Sequence, residues 1–594
     1  MFNLEEQNLS AQIRVICAQN GIPSPGEIAW NPIPITGEWG MSTSFFQLAA
    51  QEARSGKSRG GLPVPQRAQE MADLVAKSLG IPAGIYRVEA IKGYLNLYFS
   101  PAEYTRRVVN TVLDQGASYG RGRHLNQRLM VEFSNPNTHK AFHVGHLRSA
   151  ILGEALCRML DFAGYDVVRA NYPGDMGLHV IKWLWNYMKR HPGEKPGEDI
   201  TRWMGDIYAE AYRLLEEDPS LEAEVRGLYA RWDRREPEVV NLWRETRQWS
   251  LDGFTQMYSM LGIHFDVYYF NSEEEHPGKQ VVSELVRRGI ARDERPEGPV
   301  IVKIDELLGL SKETYRVMVA LRSDGTALYA TEDLALAIRK FSEYPDLVIS
   351  LYVVDVRQSL HFQQVFKTLE IAGYPWASRC QHLAYEVVSL PGNVVIASRE
   401  GNVVLLEALI REAIQRARAV VEEKNPDLSE TDKEMVSRAV GLGALKYPML
   451  ARENTKIVTF DWQSALDFNG QAAPYIQYAH VRANSILRKL QSEERNDLPP
   501  ALFEYPLDPS EVELIDLISR FPGEVQRAAT EYKPLHLANL GYSLARAFTD
   551  FYNACPVLKA EPKVRASRIS LVGATRQTLA NILNLLGIEA PDVM

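Results

Sequence analysis

The stretch Leu129–Tyr165, LMVEFSNPNTHKAFHVGHLRSAILGEALCRMLDFAGY, decides the fold. It opens on LMVEF, an apolar run with the length of a buried strand, and passes into the polar, Asn- and Pro-containing SNPNTHKA. From His146 the apolar positions recur at helical spacing until Gly164, a residue suited to ending a helix. Strand, loop and helix in this order make half of a βαβ unit. DVVRANYPGD, residues 166–175, repeats a β-branched run followed by a glycine loop, which predicts alternating units of a parallel, nucleotide-binding sheet of the Rossmann type. Further strands are expected in GPVIVKI, YRVMVALRSDG, LVISLYVVDV and CQHLAYEVVSL.

Working outward, the segment from about Trp183 to Leu261 is helical and highly charged, and reads as an insertion within the sheet domain. From about Thr431 onward nearly every window has helical periodicity, so the last third is expected to be a helix bundle. Residues up to about 104 combine an amphipathic helix pattern, a Pro/Gly-rich stretch and the alternating strand YRVEAIKGYLNLYFS, as in a small α+β domain. The expected architecture is therefore a small α+β domain (1–104), an α/β Rossmann-type domain with a parallel sheet (120–465, insertion at about 183–261) and an all-α bundle (466–594). A chain of 594 residues exceeds what one hydrophobic core supports.

Composition excludes several classes. With 45% hydrophobic and 24% charged residues the chain is not a disordered polymer. No apolar run is long enough to span a bilayer, and MFNLEEQNLSAQ lacks the pattern of an export signal, so a cytoplasmic protein without membrane association is expected. Cys17, Cys157, Cys380 and Cys555 lie far apart without a CxxC pair, which speaks against a disulfide framework or structural zinc and for four buried small hydrophobes. The net charge of -9 means that any contact with RNA is made by local patches.

The sharpest local chemistry lies in His143-Val144-Gly145-His146, at the point where the loop opens the helix. Backbone N–H groups and the helix dipole favour anions there. Gly145 lets the backbone approach a nucleotide, and two imidazoles can donate to phosphate oxygens as charge moves onto them; the alternative is a pair of capping histidines.

VEFSNPNTHKAFHVGHLRSAILGEAL resembles the signature region of arginyl-tRNA synthetases, class I enzymes with a Rossmann catalytic domain. Further similar segments follow in the order found in that family: NYPGDMGLHV, LRSDGTALYATEDLALAI, YVVDVRQSLHFQQVF, SREGNVVLLEALI, GALKYPMLARENTKIVTFDW, APYIQYAHVRANSILRK and the closing GATRQTLANILNLLGIEAPDVM. The similarity covers nearly everything from about residue 125 onward, and more faintly the amino-terminal domain. It implies activation of L-arginine by ATP carried as a Mg2+ complex, with no permanent cofactor or resident metal, and transfer to tRNA(Arg). It also implies a tRNA-contacting first domain, an anticodon-binding helical third and a monomer.

Site residues carried by the resemblance are His143, Gly145 and His146 for ATP, with Ser398 and Arg399 in the stretch aligned with the lysine-rich second signature. That stretch, VIASR, has no lysine. Lys140, just before the first signature, stands where many arginyl enzymes carry a substitute, and can act as a point charge on phosphate. For arginine the resemblance implies Tyr329 and Asp333, one helical turn apart, toward the guanidinium, with Gln358 nearby and Ser134 and Asn137 toward the amino-acid backbone. Gly174-Asp175 is a further element near the substrate, followed by Met176 in place of the usual tryptophan. Glu273 matches a second substrate carboxylate, with Glu274 and Glu275 as alternatives. In APYIQYAHVRANSILRK, the cluster Tyr475, Gln477, Tyr478, His480 and Arg482 suits stacked bases and phosphates or, equally, helix packing. Tyr478 and Arg482 are the candidates for tRNA. Two rival readings are a small-molecule adenylyltransferase, which needs no helical third, and a noncatalytic RNA-binding paralogue, against which Lys140, His143, His146 and Asp333 stand.

Replacing His143 or His146 by Ala is expected to raise the barrier to adenylate formation by roughly 2–4 kcal/mol without unfolding the protein. Lys140→Ala should be nearly as damaging, with partial recovery by Ser398→Lys. ATP–pyrophosphate exchange measures both, and unchanged kinetics in the double histidine variant would return the pair to a capping role.

Overall fold

Five parallel strands form the central sheet: β1 (Arg128–Glu132), β2 (Asp166–Asn171), β3 (Val267–Tyr268), β4 (Leu347–Asp355) and β5 (Cys380–Tyr385), in the order β5-β4-β1-β2-β3. Met130 of β1 is aligned with Ser350 of β4 and Val168 of β2. The winding direction reverses between β1 and β4, so a crevice lies beyond their carboxyl ends. The computed structural model describes residues 3–33, 35–55, 61–142, 144–390, 394–395, 405–490 and 498–594.

Alternation along β1 builds two layers. Leu129, Val131 and Phe133 face the helix Val144–Ala163, while Met130 packs with Tyr172, Leu336, Phe341 and Phe362 on the other side. The helix seats closely on the strand because residue 153 is glycine: a Cβ there would lie 2.1 Å from the Phe133 ring.

Between β2 and β3 the chain forms four helices, Leu178–Arg190, Ile200–Glu217, Glu222–Asp233 and Pro237–Leu261, around a core that includes Trp183, Trp185, Trp232 and Trp243. The helical run starts at Leu178, directly after Gly177 with φ 120°, and so begins earlier than the charge pattern alone suggests.

The strands in GPVIVKI and YRVMVALRSDG form outside the parallel sheet. Val300–Lys303 pairs antiparallel with Val317–Leu321 and with Arg292–Asp293, in a small sheet of its own. Their linker holds only the short helix Ile304–Leu307, which suits a return on the same small sheet better than a parallel crossover. This sheet packs on helices Asn271–Arg287, Tyr329–Glu343 and Ser359–Ile371. After β5, Val388–Leu390 pairs with Val394–Val395 and with Val458–Thr459.

At the amino end, Asn31–Pro32, Gly40–Ser44, Tyr94–Phe99 and Ile85–Ile91 make an antiparallel sheet whose Met41, Leu95 and Leu97 pack with the helices Asn3–Gln19 and Val64–Leu79. The helix Pro101–Gln115 runs through residue 104, and its Val108, Val109 and Val112 join a different core. That core is continuous from the helix Val144–Ala163 to the carboxyl-terminal helices Ala473–Lys489, Pro509–Glu531, Leu535–Ala554 and Pro562–Leu585. All four cysteines are buried and unpaired. None of the described helices is long and apolar enough to cross a membrane.

Candidate functional site at the carboxyl edge of the parallel sheet

The loop after β1 takes left-handed backbone at three non-glycine residues, Ser134 (φ 73°), Asn135 (φ 46°) and His139 (φ 59°). Such conformations persist where the surroundings over-determine them. The Ser134 N–H donates to Ser149 Oγ (3.0 Å), which donates to the Val353 carbonyl of β4 (3.0 Å), and Ser134 Oγ lies 2.8 Å from the Tyr258 hydroxyl. The Asn135 amide donates to Glu132 (2.9 Å) and accepts from the Tyr172 N–H (2.9 Å). The Thr138 N–H donates to the Gly174 carbonyl (2.9 Å), and the Gly174 N–H to Pro136 (3.1 Å), which zips the loops after β1 and β2 together. A Cβ at 174 would sit 2.4 Å from Asn137 Oδ1, so the half-buried Asn137 needs glycine opposite it.

His139 is fully buried, its ring between Thr138 Oγ1 (2.9 Å) and Thr246 Oγ1 (2.8 Å), and burial holds its pKa well below the usual range. It is a neutral structural histidine. His146, by contrast, is half-buried and lies flat against Phe142, with ring centroids 5.1 Å apart. The Lys140 ammonium lies 5.3 Å from the Tyr208 ring centroid. His143, Ser398 and Arg399 lie outside the described residues.

On the opposite side of the crevice, Asp333 of helix Tyr329–Glu343 is 2.5 Å from His361 Nε2. Tyr329, one turn earlier, is 68% exposed, and Gln358 is exposed at the turn beyond β4. Beside Asp333 stands Glu332, whose carboxylate accepts from the Asn271 amide (2.6 Å); that amide also donates to the Tyr172 hydroxyl (2.6 Å). Burial first, and the Asp333 charge second, push the Glu332 carboxyl up to about 8. Among the described residues, no lysine or arginine bonds either Glu332 or Asp333. The three glutamates of the next helix are otherwise engaged. Arg339 donates to Glu273 (2.8 Å) and to the buried Glu274 (2.7 Å), and Glu275 pairs with Lys279 (2.8 Å). Asp175 is buried, accepting from the Ser272 N–H (2.9 Å), Ser272 Oγ (2.7 Å) and Arg247 (2.9 Å), and it fixes the amino end of the helix Asn271–Arg287.

Glu332, Tyr172, Asn271 and His361 escape a reading by spacing. Only the adjacency of Glu332 to Asp333 in ATED was visible in the sequence; the other three reach the site from separate elements. Beneath it, Glu132 and Lys340 form an ion pair with both side chains essentially inaccessible, and Lys340 lies 3.9 Å from the Tyr352 ring centroid.

In the carboxyl-terminal third, the face of helix Ala473–Lys489 carrying Gln477 and His480 is committed inward. Gln477 donates to the Glu589 carbonyl (2.8 Å), and His480 Nδ1 lies 3.0 Å from that of Pro591. Tyr475 packs against Tyr542. Tyr478 and Arg482 point outward: the Arg482 guanidinium lies 4.7 Å from the Tyr478 ring and 4.9 Å from that of Tyr552, two rings that are 40% and 44% exposed. Tyr552 completes this platform from another helix.

Residues 108–462 match the family described as tRNA synthetases class I (R), catalytic domain, and residues 476–594 match the DALR anticodon binding domain. With the parallel sheet and the signature helix, this defines a class I aminoacyl-tRNA synthetase. The chain is 34% identical to the arginine–tRNA ligase of Clostridium perfringens over 89% of its own length and 90% of the relative's. It is also 34% identical to that of Bdellovibrio bacteriovorus, covering 84% and 86%. The structure of Thermus thermophilus arginyl-tRNA synthetase superimposes with a TM-score of 0.76 at 29% identity, over 99% of this chain and 100% of that one. The chain belongs to the arginyl-tRNA synthetase family.

The buried pair beneath the site has a measurable consequence. Lys340→Met leaves the Glu132 carboxylate buried without a counter-charge and should destabilise the protein by about 3–5 kcal/mol, whereas adding Glu132→Gln should restore most of that loss. Urea unfolding measures both; a Lys340→Met protein as stable as the parent would show that the pair carries no such cost.

Proposed function

We propose that the chain joins L-arginine and Mg-ATP into arginyl-adenylate with release of pyrophosphate, then transfers the arginyl group to the 3′ end of tRNA(Arg), using the two sides of this crevice. The carrying observation is the pair of adjacent carboxylates at the carboxyl edge of the sheet, Glu332 and Asp333, which among the described residues meet an amide and a histidine but no lysine or arginine. A guanidinium offers planar N–H donors and a permanent charge that such a pair accepts. Asp333 and Glu332 receive it, Tyr329 and Gln358 close around the side chain, and Asn137 holds the amino-acid backbone. Ser134, buried against Tyr258, fixes the loop that presents Asn137. Glu332 adds a carboxylate beside Asp333, and Glu273, which pairs with Arg339, stays the candidate matched to the second substrate carboxylate.

An arginine carboxylate oxygen attacks the α-phosphorus and the bond to the departing pyrophosphate breaks. Negative charge then grows on the leaving group, where Lys140, His143, His146 and the backbone at Gly145 neutralise it, with Ser398 and Arg399 on the same nucleotide. A ribose hydroxyl of the terminal adenosine next attacks the acyl carbon and AMP leaves. Mg2+ arrives with ATP. Residues 1–104 contact tRNA, 120–465 carry the chemistry with the insertion at 183–261, and 466–594 bind the anticodon, with Tyr478 and Arg482 stacking bases alongside Tyr552. The protein acts as a cytoplasmic monomer.

Exchange of pyrophosphate into ATP, assayed with all twenty amino acids with and without total tRNA, should respond to arginine alone; a response to another amino acid would overturn the proposal. Asp333→Asn keeps size and removes charge, so kcat/KM for arginine should fall by at least about two orders of magnitude while citrulline, which is neutral, loses far less. Equal losses for both substrates would make Asp333 structural. Glu332 adds a pH signature. A carboxyl with a pKa of about 8 is largely neutral at pH 7 and gains charge as pH rises, while the guanidinium stays cationic. Arginine affinity should therefore increase from pH 7 to 8.5, and Glu332→Gln should flatten that rise; a Gln variant with an unchanged profile would remove Glu332 from the pocket.

A further inference from the structure

We propose that Tyr208, on the helix Ile200–Glu217 of the insertion, is a positioning residue for adenylate formation: its ring holds the Lys140 ammonium against the first-signature loop. The proposal rests on Lys140 acting on the ATP phosphates.

Three contacts bring this helix into the catalytic centre. The Lys140 Nζ lies 5.3 Å from the Tyr208 ring centroid, within the range of a cation–π attraction. One turn earlier, residue 205 is glycine, and a Cβ there would come within 2.7 Å of Ala141 Cβ and 3.1 Å of its Cα. The helix therefore rests on the loop backbone itself. At its amino end, Thr201 Oγ1 lies 3.4 Å from Glu407, and Asp199 pairs with Arg411. Glu407 and Arg411 belong to Leu406–Lys424, the helix that follows the second-signature stretch, and the Leu406 N–H donates to the Phe142 carbonyl (2.9 Å). One insertion helix thus touches both the first-signature loop and the helix that follows the second-signature stretch.

The Tyr208 ring is itself braced. It packs on Tyr212 with centroids 4.7 Å apart, and Tyr212 faces Lys182 (4.7 Å), which pairs with Glu222 (3.0 Å). The buried His179 is kept neutral, with its pKa at about 3, by burial and then by the Lys140 charge. A lysine left to itself samples many rotamers and reaches a phosphate only part of the time. A braced aromatic face limits the positions open to the ammonium and holds it near the first-signature loop before ATP arrives.

The test compares Tyr208→Phe, which keeps the ring, with Tyr208→Leu and Tyr208→Met, which remove it, in ATP–pyrophosphate exchange with tRNA. Leu and Met should lower kcat/KM for ATP by about 5- to 30-fold with KM for arginine unchanged, and Phe should stay within about two-fold of the parent. Combining Lys140→Ala with Tyr208→Leu should cost no more than Lys140→Ala alone. If Lys140→Ala is damaging yet the Leu and Met variants retain full activity, or if the two losses multiply, the positioning role is overturned while the Lys140 assignment stands. A harmless Lys140→Ala would instead remove the assignment on which the role depends.

Discussion

Arg148, in the second turn of the signature helix, places its guanidinium among main-chain carbonyls of two distant segments. It donates to Glu386 and to Lys456 (2.9 Å), Asn454 (3.1 Å) and Glu453 (3.3 Å). The side chain is 1% exposed and among the described residues has no carboxylate partner, so its charge is solvated by backbone dipoles, and burial lowers its pKa to about 10. Removing a charge from water is costly unless its donors are satisfied. Here the carbonyls that accept from its two terminal nitrogens flank Val388–Leu390 and Val458–Thr459, strands that pair with each other, while its buried Nε has no acceptor. A residue of the first signature helix therefore ties together two segments that lie far from it in the sequence. Lys446 is handled in the same way, between the carbonyls of Leu261 and Gly587, and its pKa falls to about 8. Lys340 takes the other solution, a carboxylate. Where the cation must tie together irregular segments, carbonyls serve; beneath the regular strand β1, the pairing is with an ion.

This scheme explains what could be read from the amino-acid sequence and what could not. The parallel core was legible because LMVEF and its helix carry their periods in consecutive residues, and because the order of motifs is itself information. The small antiparallel sheet of Val300–Lys303 and Val317–Leu321 was legible as strands but not as a separate sheet, since alternation reports a buried face and says nothing of which neighbour covers it. Glu273, Glu274 and Glu275 follow one another near the start of one helix, and their fates were set by Arg339 and Lys279. Periodicity separates their directions by about 100° each without naming what stands there.

The acidic cluster and the first-signature loop differ in the kind of information that builds them. Lys140, Gly145 and His146 lie within seven residues and appear as a motif. Glu332 and Asp333 meet Asn271, Tyr172 and His361 only after four separate elements have packed. The zip between Thr138 and Gly174 is what brings the two halves into register, since it fixes the loop after β1 against the loop after β2 that leads to Asp175. Asp175 in turn fixes the amino end of the helix bearing Asn271. Strain at Ser134, Asn135 and His139 is tolerated because every one of these loops is bonded to another.

The same logic separates the two faces of the helix Ala473–Lys489. Gln477, His480, Asn484 and Arg488 follow helical spacing, and all four bond residues 589–592. That stripe is spent on holding the end of the bundle in place, which is why burial depresses the His480 pKa. Tyr478 and Arg482 lie off this stripe, one turn apart, and meet Tyr552 rather than the core. With an overall charge of -9, the chain as a whole does not draw RNA to itself. A guanidinium shared by two exposed rings presents a flat face and a charge together, the combination that a stacked base and its phosphate would meet in the proposed function. The aromatic and basic residues of this one segment thus divide by helical phase: the buried stripe sets where the helix lies, and the pair one turn apart stays on the surface.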